Sequence, residues 1–200
     1  AGNTSGEGKS TQVGEAQVPS DGQRDFELID RFLEGDVSAF DMLVQKYQKD
    51  VYRLAYRITQ SVDDAKDLAQ ETFLQAYRAL KGFHRHSSFY TWLYRIAVNV
   101  CLNRVAVKTP ISEPIEKREH IDVVTESPSE RVLRDERAVH VRRAITQLPP
   151  KQRAALILRM YHDMSHQEIA ETLRSSVGAV KANVFHALQN LEQMLGDQGV

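Results

Sequence analysis

Residues 165–195 read SHQEIAETLRSSVGAVKANVFHALQNLEQML, and the spacing within them decides which fold the chain can adopt. Ser165 followed three residues later by Glu168 is a capping-box pattern: hydroxyl and carboxylate each satisfy a backbone N–H that a helix start leaves without a partner. Ile169, Ala170 and Leu173 continue as a short apolar face, and Arg174-Ser175-Ser176 interrupts it. Val177, Val180, Val184, Leu188, Leu191 and Leu195 then recur at helical spacing. The spacing predicts a short helix, a tight turn and a longer helix, which is the spacing of a helix-turn-helix. Opposite the apolar stripe lie Ala179, Ala182 and His186, flanked by Asn183, with Lys181 at the stripe's edge. Small side chains let a helix backbone sit deep in a DNA major groove, Asn and His can address base edges, and a lysine can reach a phosphate. An ordinary helical hairpin has the same apolar spacing, so the remainder of the chain must discriminate.

Upstream, Val132, Val139, Ala144 and Ile145 carry a helical pattern that breaks at Pro149-Pro150. It resumes through Ala154, Leu156, Ile157 and Leu158 and breaks again near His162-Asp163. Nearer the N-terminus, Phe26, Ile29 and Leu33 lead to Gly35, a good residue just past a helix end, and Asp36 then caps a second run. That run, Phe40, Leu43, Val44, Tyr47, Val51, Leu54, Ala55 and Ile58, is one long amphipathic helix. Ser61 with Asp64 opens a third, through Leu68, Phe73, Ala76 and Leu80 to Gly82, and a fourth runs from Phe89 to about Val105. No alternating strand pattern occurs. Residues 1–24 hold almost no apolar side chains and are expected to be a disordered tail. Residues 107–129, with Pro110, Pro114 and Pro128 among acidic residues, show no period. The expected fold is all-α: a four-helix domain over 25–106 and a helix-turn-helix domain over 130–196, joined by a flexible acidic linker over 107–129.

Composition restricts the function. Of 200 residues, 42% are hydrophobic and 26% charged, ordinary for a globular protein. The apolar stretch Ile96 to Leu102 is interrupted by Asn99 and falls short of the ~18–20 residues that cross a bilayer, so no membrane insertion is expected. Cys101 is the single cysteine, which excludes an internal disulfide or a thiolate zinc cluster and suggests a buried thiol in a cytoplasmic protein. Gly6-Glu7-Gly8-Lys9-Ser10-Thr11 imitates a phosphate-binding loop, yet Asn3 stands where that pattern requires a glycine and no strand precedes it. His162 and His166 straddle an expected turn, and His84 and His86 lack a Cys or acidic partner in their segment. No catalytic residue, metal site or cofactor is expected, and the chain is not read as an enzyme.

The net charge of −1 conceals strong blocks. Residues 25–71 hold eleven acidic against six basic side chains, whereas 72–108 hold six basic and no acidic ones. Residues 109–136 are acidic again, and 137–191 hold eight bases against three acids. Alternation of this kind points to a polyanion more clearly than net charge does, although a solvated basic face is the common bland reading. Within the first basic block, Thr91, Arg95 and Asn99 stand four apart on an otherwise apolar helix. The loop His84-Arg85-His86-Ser87-Ser88 precedes it, between Phe83 and Phe89. A basic loop beside aromatic side chains and a polar strip suits a splayed single-stranded base, which stacks or is pocketed while its backbone is held electrostatically. For Trp92 and Phe89 themselves, an aromatic core is the better reading.

Four segments together resemble a known family. They are Asp67-Leu68-Ala69-Gln70-Glu71-Thr72-Phe73-Leu74-Gln75-Ala76-Tyr77, then Phe89-Tyr90-Thr91-Trp92-Leu93-Tyr94-Arg95-Ile96-Ala97-Val98-Asn99, then Leu148-Pro149-Pro150-Lys151-Gln152-Arg153 with Glu168-Ile169-Ala170, and finally Val177-Gly178-Ala179-Val180-Lys181-Ala182-Asn183. In this order, over about residues 26–195, the chain resembles the bacterial extracytoplasmic-function RNA polymerase sigma factors. The resemblance implies a sigma-2 and a sigma-4 domain, binding to core RNA polymerase through its β′ clamp helices and β subunit, recognition of the −10 and −35 promoter elements, and control by an anti-sigma factor. Asp67, Gln70, Glu71 and Phe73 match the polymerase-docking segment. The −10 element would meet His84, Arg85, His86, Ser87, Ser88, Thr91, Arg95 and Asn99, and the −35 element Ser175, Ser176, Ala179, Lys181, Ala182, Asn183 and His186. The family loop commonly reads Phe-Arg-Gly-Asp/Glu where this chain has Phe83-His84-Arg85-His86, and many members have Ser-Arg at Ala182-Asn183. A DNA-binding regulator that does not recruit polymerase is the second reading; such a regulator has no need of an acidic helix holding Asp67 and Glu71 beside a basic strand-binding loop.

Overall fold

Two residues force the first break in the helical chain. Gly35 adopts φ +107°, where a Cβ is strained, and the Asp36 carboxylate then accepts a hydrogen bond from the Ser38 N–H at 3.1 Å. Helix α1 (Asp21–Leu33) therefore stops and α2 (Val37–Thr59) begins. The computed structural model describes residues 21–107 and 128–196. The Ser61 hydroxyl accepts from the Asp64 N–H to open α3 (Val62–Ala79), a 3₁₀ turn follows at Leu80–Gly82, and α4 is Phe89–Val107. Then come α5 (Pro128–Gln147), α6 (Pro150–Tyr161) with Pro150 in its first turn, α7 (His166–Thr172) and α8 (Val177–Gly196). Among the described residues every regular element is helical, as expected.

Details differ from the sequence reading: α4 reaches Val107 and α5 begins at Pro128, each inside the linker expected over 107–129, because proline is accommodated in a helix's first turn. Helix α1 begins at Asp21, inside the segment expected to be a tail: an acidic first turn suits the helix dipole, and Lys46 Nζ donates to the Asp21 carbonyl at 3.3 Å. Its buried face is Ile29 and Phe32 rather than Leu33, because Phe32 packs its ring against Phe40 and Tyr77 while Leu33 is exposed at the turn. The phosphate-loop look-alike, the rest of the tail over 1–20 and most of the linker, 108–127, lie outside the described residues.

Helix α4 is apolar on nearly every side and packs against α1, α2 and α3, and on its other flank against α6 and α7. Burial there pushes the Cys101 thiol up to about 12, so it stays protonated and unreactive. Two buried carboxylates fasten this half. Asp25 accepts from the Tyr47 hydroxyl and from Lys46 Nζ at 2.7 Å, tying α1 to α2, and Asp64 accepts from Arg104 Nη1 at 2.7 Å, tying α3 to α4.

In the second half α5, α6 and α7 all pack on α8. Helix α6 is buried over Arg153–Leu158 because it also packs against α2 and α4. Arg153 donates to the carbonyls of Ile58 at 3.0 Å, Leu148 at 3.2 Å and Thr146. Arg57 lies over the Tyr161 ring, 4.3 Å from its centroid. Tyr90 donates to the His162 carbonyl at 3.3 Å, and the Tyr94 hydroxyl shares a 3.0 Å hydrogen bond with His162 Nδ1. Burial first, and then the Arg57 charge, hold the His162 ring down at about 4.

Replacing Asp25 by Ala leaves the buried Tyr47 hydroxyl without an acceptor. Urea unfolding is expected to register a loss of about 1–3 kcal/mol, and a change below ~0.5 kcal/mol would show that water replaces the carboxylate. The His162 contact makes closure pH-dependent. Above its ordinary value of about 6.5 the ring is neutral whether the halves are apart or together; between about 6.5 and about 4 an opened chain binds a proton that the closed chain excludes. Asp50 and Asp163 oppose that exclusion, Arg53 and Arg57 favour it, and closure weakens as pH falls through this window. Fluorescence energy transfer between labels on the two halves should fall over this range, and His162→Gln should flatten the curve.

Candidate nucleic-acid interface

The loop between the 3₁₀ turn and α4 is pinned at both ends by aromatic rings. Phe83 and Phe89 are buried, meet edge-on at 6.2 Å, and both pack on Trp92, at 5.1 and 5.6 Å. Core anchoring, expected for Phe89 and Trp92, extends to Phe83. Between Phe83 and Phe89, His84, Arg85, His86 and Ser88 are exposed and Ser87 half-buried. The histidine rings lie 6.1 Å apart. Ser88 Oγ accepts from the Thr91 N–H at 3.1 Å and contacts Thr91 Oγ1 at 2.9 Å, so these hydroxyls start α4. Arg85 pairs with Asp30 of α1 instead of projecting freely.

The expected polar strip on α4 is uneven. Thr91 is only 4% exposed, Arg95 half-buried and Asn99 exposed. The reason lies in α7, which packs across α4: His86, Ser87, Thr91 and Arg95 line one small cleft together with Glu171. Sequence reading had no means of placing that carboxylate opposite the strip.

On α3, Asp67, Gln70 and Glu71 are exposed and share one face, and Glu71 accepts from Gln75 Nε2 at 3.0 Å. Phe73, expected beside them, belongs to the core at 9% exposure, since it points a third of a turn away. The residue that completes the face is Leu74, 51% exposed, at i+3 and i+4 from Glu71 and Gln70. Helical spacing alone would have found it.

At the helix-turn-helix the capping box is complete: Glu168 N–H donates to Ser165 Oγ and Ser165 N–H to Glu168 Oε2. Arg174 turns the chain at φ +49°, and the Ser175 N–H donates to the Ala170 carbonyl at 2.9 Å. Ser176 Oγ accepts from the Ala179 N–H at 3.1 Å and caps α8. Ser175, Ser176, Ala179, Lys181, Ala182 and His186 are exposed together, while Asn183 is half-buried at the margin. The buried stripe is Val180, Ala187 and Leu191; Leu188, expected within it, is 48% exposed because α5, α6 and α7 cover the other side. Phe185 was missed: it is 58% exposed on the open face, one turn beyond Ala182, with its ring edge-on to His186 at 5.6 Å.

The Sigma-70 region 2 family model matches residues 43–109, and the Sigma-70 region 4 model residues 139–191. The chain is 37% identical over 182 residues to the RNA polymerase sigma-H factor of Pseudomonas aeruginosa, covering 86% of this chain and 94% of that protein. It is 36% identical to the ECF RNA polymerase sigma-E factor of Escherichia coli K12, covering 82% of this chain and 91% of that protein. The chain belongs to the extracytoplasmic-function sigma factors.

Among solved structures, CnrH in complex with the cytosolic domain of CnrY is similar at a TM-score of 0.66 and 25% identity, covering 87% of this chain and 98% of that one. The sigma factor RpoE from Bartonella quintana, in complex with the anti-sigma factor NepR, shares the fold at a TM-score of 0.61 and 20% identity, covering 80% and 98% of the two chains. As a sigma factor the chain is a transcription initiation factor working with core RNA polymerase on promoter DNA. Region 2 therefore excludes the reading of a regulator that uses the helix-turn-helix alone. No described helix is long and apolar enough to cross a membrane.

The exposed face of α8 generates a paired test. Lys181→Ala is expected to weaken binding to all −35 sequences alike and to lower the salt dependence by about one unit of slope. His186→Ala is expected instead to alter which −35 bases are preferred, by about 1 kcal/mol at the affected position. Uniform weakening in both variants, measured by competition between promoter probes, would make His186 a backbone contact.

Proposed function

We propose that this sigma factor uses three separate surfaces of its own chain. The α3 face of Asp67, Gln70, Glu71 and Leu74 docks core polymerase on its β′ clamp helices. The loop His84 to Ser88 with Arg95 and Asn99 holds the unpaired −10 strand. The open face of α8, with the turn at Ser175 and Ser176, reads the −35 duplex. The reading rests on one observation above all: the only polar, acidic face that α3 leaves exposed among the described residues is the one that matches the family's docking segment.

The closed arrangement supports a second element of the proposal. Glu171 stands in the cleft that contains Arg95, and a carboxylate there repels a nucleic-acid strand. The two DNA-reading surfaces therefore become available when polymerase draws the halves apart, and free protein binds promoters poorly. The same closed form is suited to being held by a polypeptide; the likeness to CnrH in its complex with a cytosolic domain of CnrY supports control by an anti-sigma partner. This activity belongs in the cytoplasm with polymerase and calls on the chain as a factor rather than as an enzyme.

Glu71→Lys tests the docking surface. The side chain is exposed, so the fold should change by less than ~0.5 kcal/mol. Holoenzyme formation, followed by gel filtration with core polymerase, should drop at least tenfold. Unaltered assembly would place the docking surface elsewhere.

A further inference from the structure

Arg85 is the most basic residue of the loop assigned above to the −10 strand, yet its side chain faces the protein. Its backbone has φ +58°, a left-handed conformation that any residue with a Cβ adopts at a cost. Something must hold it there. The guanidinium pairs with Asp30 and lies over the Phe26 ring, 5.4 Å from the centroid, and both partners belong to α1. Phe26 in turn packs on Phe83 at 6.2 Å, and Phe83 on Trp92 at the base of α4. The ion pair is half exposed and by itself would hold little. Combined with the stacked ring it seats the middle of the loop on a column of aromatic side chains that ends in the core.

The consequence falls on the neighbours. With Arg85 turned inward at a left-handed residue, His84 and His86 are left exposed on either side of it, their rings near one another and free of the core. We infer that Arg85 is a positioning residue: gripped by Asp30 and Phe26 of α1, it shapes the loop so that His84 and His86 meet the unpaired −10 bases. Helix α1, which carries none of the expected DNA contacts, thereby becomes part of the promoter-reading unit. This role rests on assigning the loop to the −10 strand.

The test uses holoenzyme reconstituted with each variant on a template whose −10 region is already unpaired, reading base preference across substituted −10 sequences and the salt dependence of binding. Asp30→Asn and Arg85→Ala should each reduce the preference ratio by about three- to tenfold, with the double variant no worse than either single one. The salt slope should stay at the wild-type value. The exchange Asp30→Arg with Arg85→Asp restores the ion pair but not the guanidinium that residue 85 lays over Phe26, so it should recover only part of the preference, Asp being tolerant of the left-handed conformation. A salt slope lowered by about one in Arg85→Ala, with Asp30→Asn neutral or tighter, would make Arg85 a phosphate contact and overturn the inference. His84→Ala and His86→Ala altering preference while Asp30→Asn does not would overturn the positioning role alone. No effect from either histidine variant would overturn the −10 assignment of the loop and this role with it.

Discussion

Arg153 meets a need that helix geometry creates. A helix leaves its last carbonyls without intrahelical donors, and burying them unpaired is costly. The carbonyl of Ile58 lies in the last turn of α2, and those of Thr146 and Leu148 lie where α5 gives way to α6. One guanidinium, itself buried, reaches all three. A planar fork with five donors is the side chain that can do this; lysine would offer a single point. The register of α6 against α2 follows from it, and with that register come the stacking of Arg57 on Tyr161 and the contacts of Tyr90 and Tyr94 with His162.

Docking the halves in this way has a functional cost built into it. Helix α7 is the first helix of the helix-turn-helix, and in the closed molecule it packs over α4. The cleft then combines Arg95, a cation suited to a nucleic-acid backbone, with Glu171, a carboxylate that is not. The interface is mixed in character: buried apolar side chains of α6 alternate with the Arg153 hydrogen bond to Ile58 and the Arg57 contact with Tyr161, and polar and aromatic groups surround His162. Such an interface can hold and still be opened, because its polar groups recover water when the halves part.

Much of this was legible in the residues. Gly35, Asp36, Ser61, Pro150 and the pair Ser165 and Glu168 act through local backbone chemistry, and each bounds a helix where its type and position say it should. Four spaced segments sufficed to assign the family, and the alternation of acidic and basic blocks set the acidic start of α3 apart from the basic loop before α4. Errors clustered where a residue's face depends on a partner far away in sequence. Phe73 and Leu74 are adjacent, and only the packing of α3 on α2 and α4 sends one inward and the other outward. Leu188 has the chemistry of a core residue but lies beyond the reach of α5, α6 and α7.

Local chemistry and periodicity determined the helices and most of their ends, since each depends on residues within a few positions of one another, and the resemblance of four segments in order gave the two-part organisation and the family. Tertiary structure alone decided which candidate groups are free to act. Thr91 is buried in a cleft it shares with Glu171 of α7, and Arg85 is drawn to Asp30, 55 residues away. His162 is desolvated against α4 and loses its proton readily. Desolvation and ion pairing depend on distance through space, and no spacing along the chain encodes them.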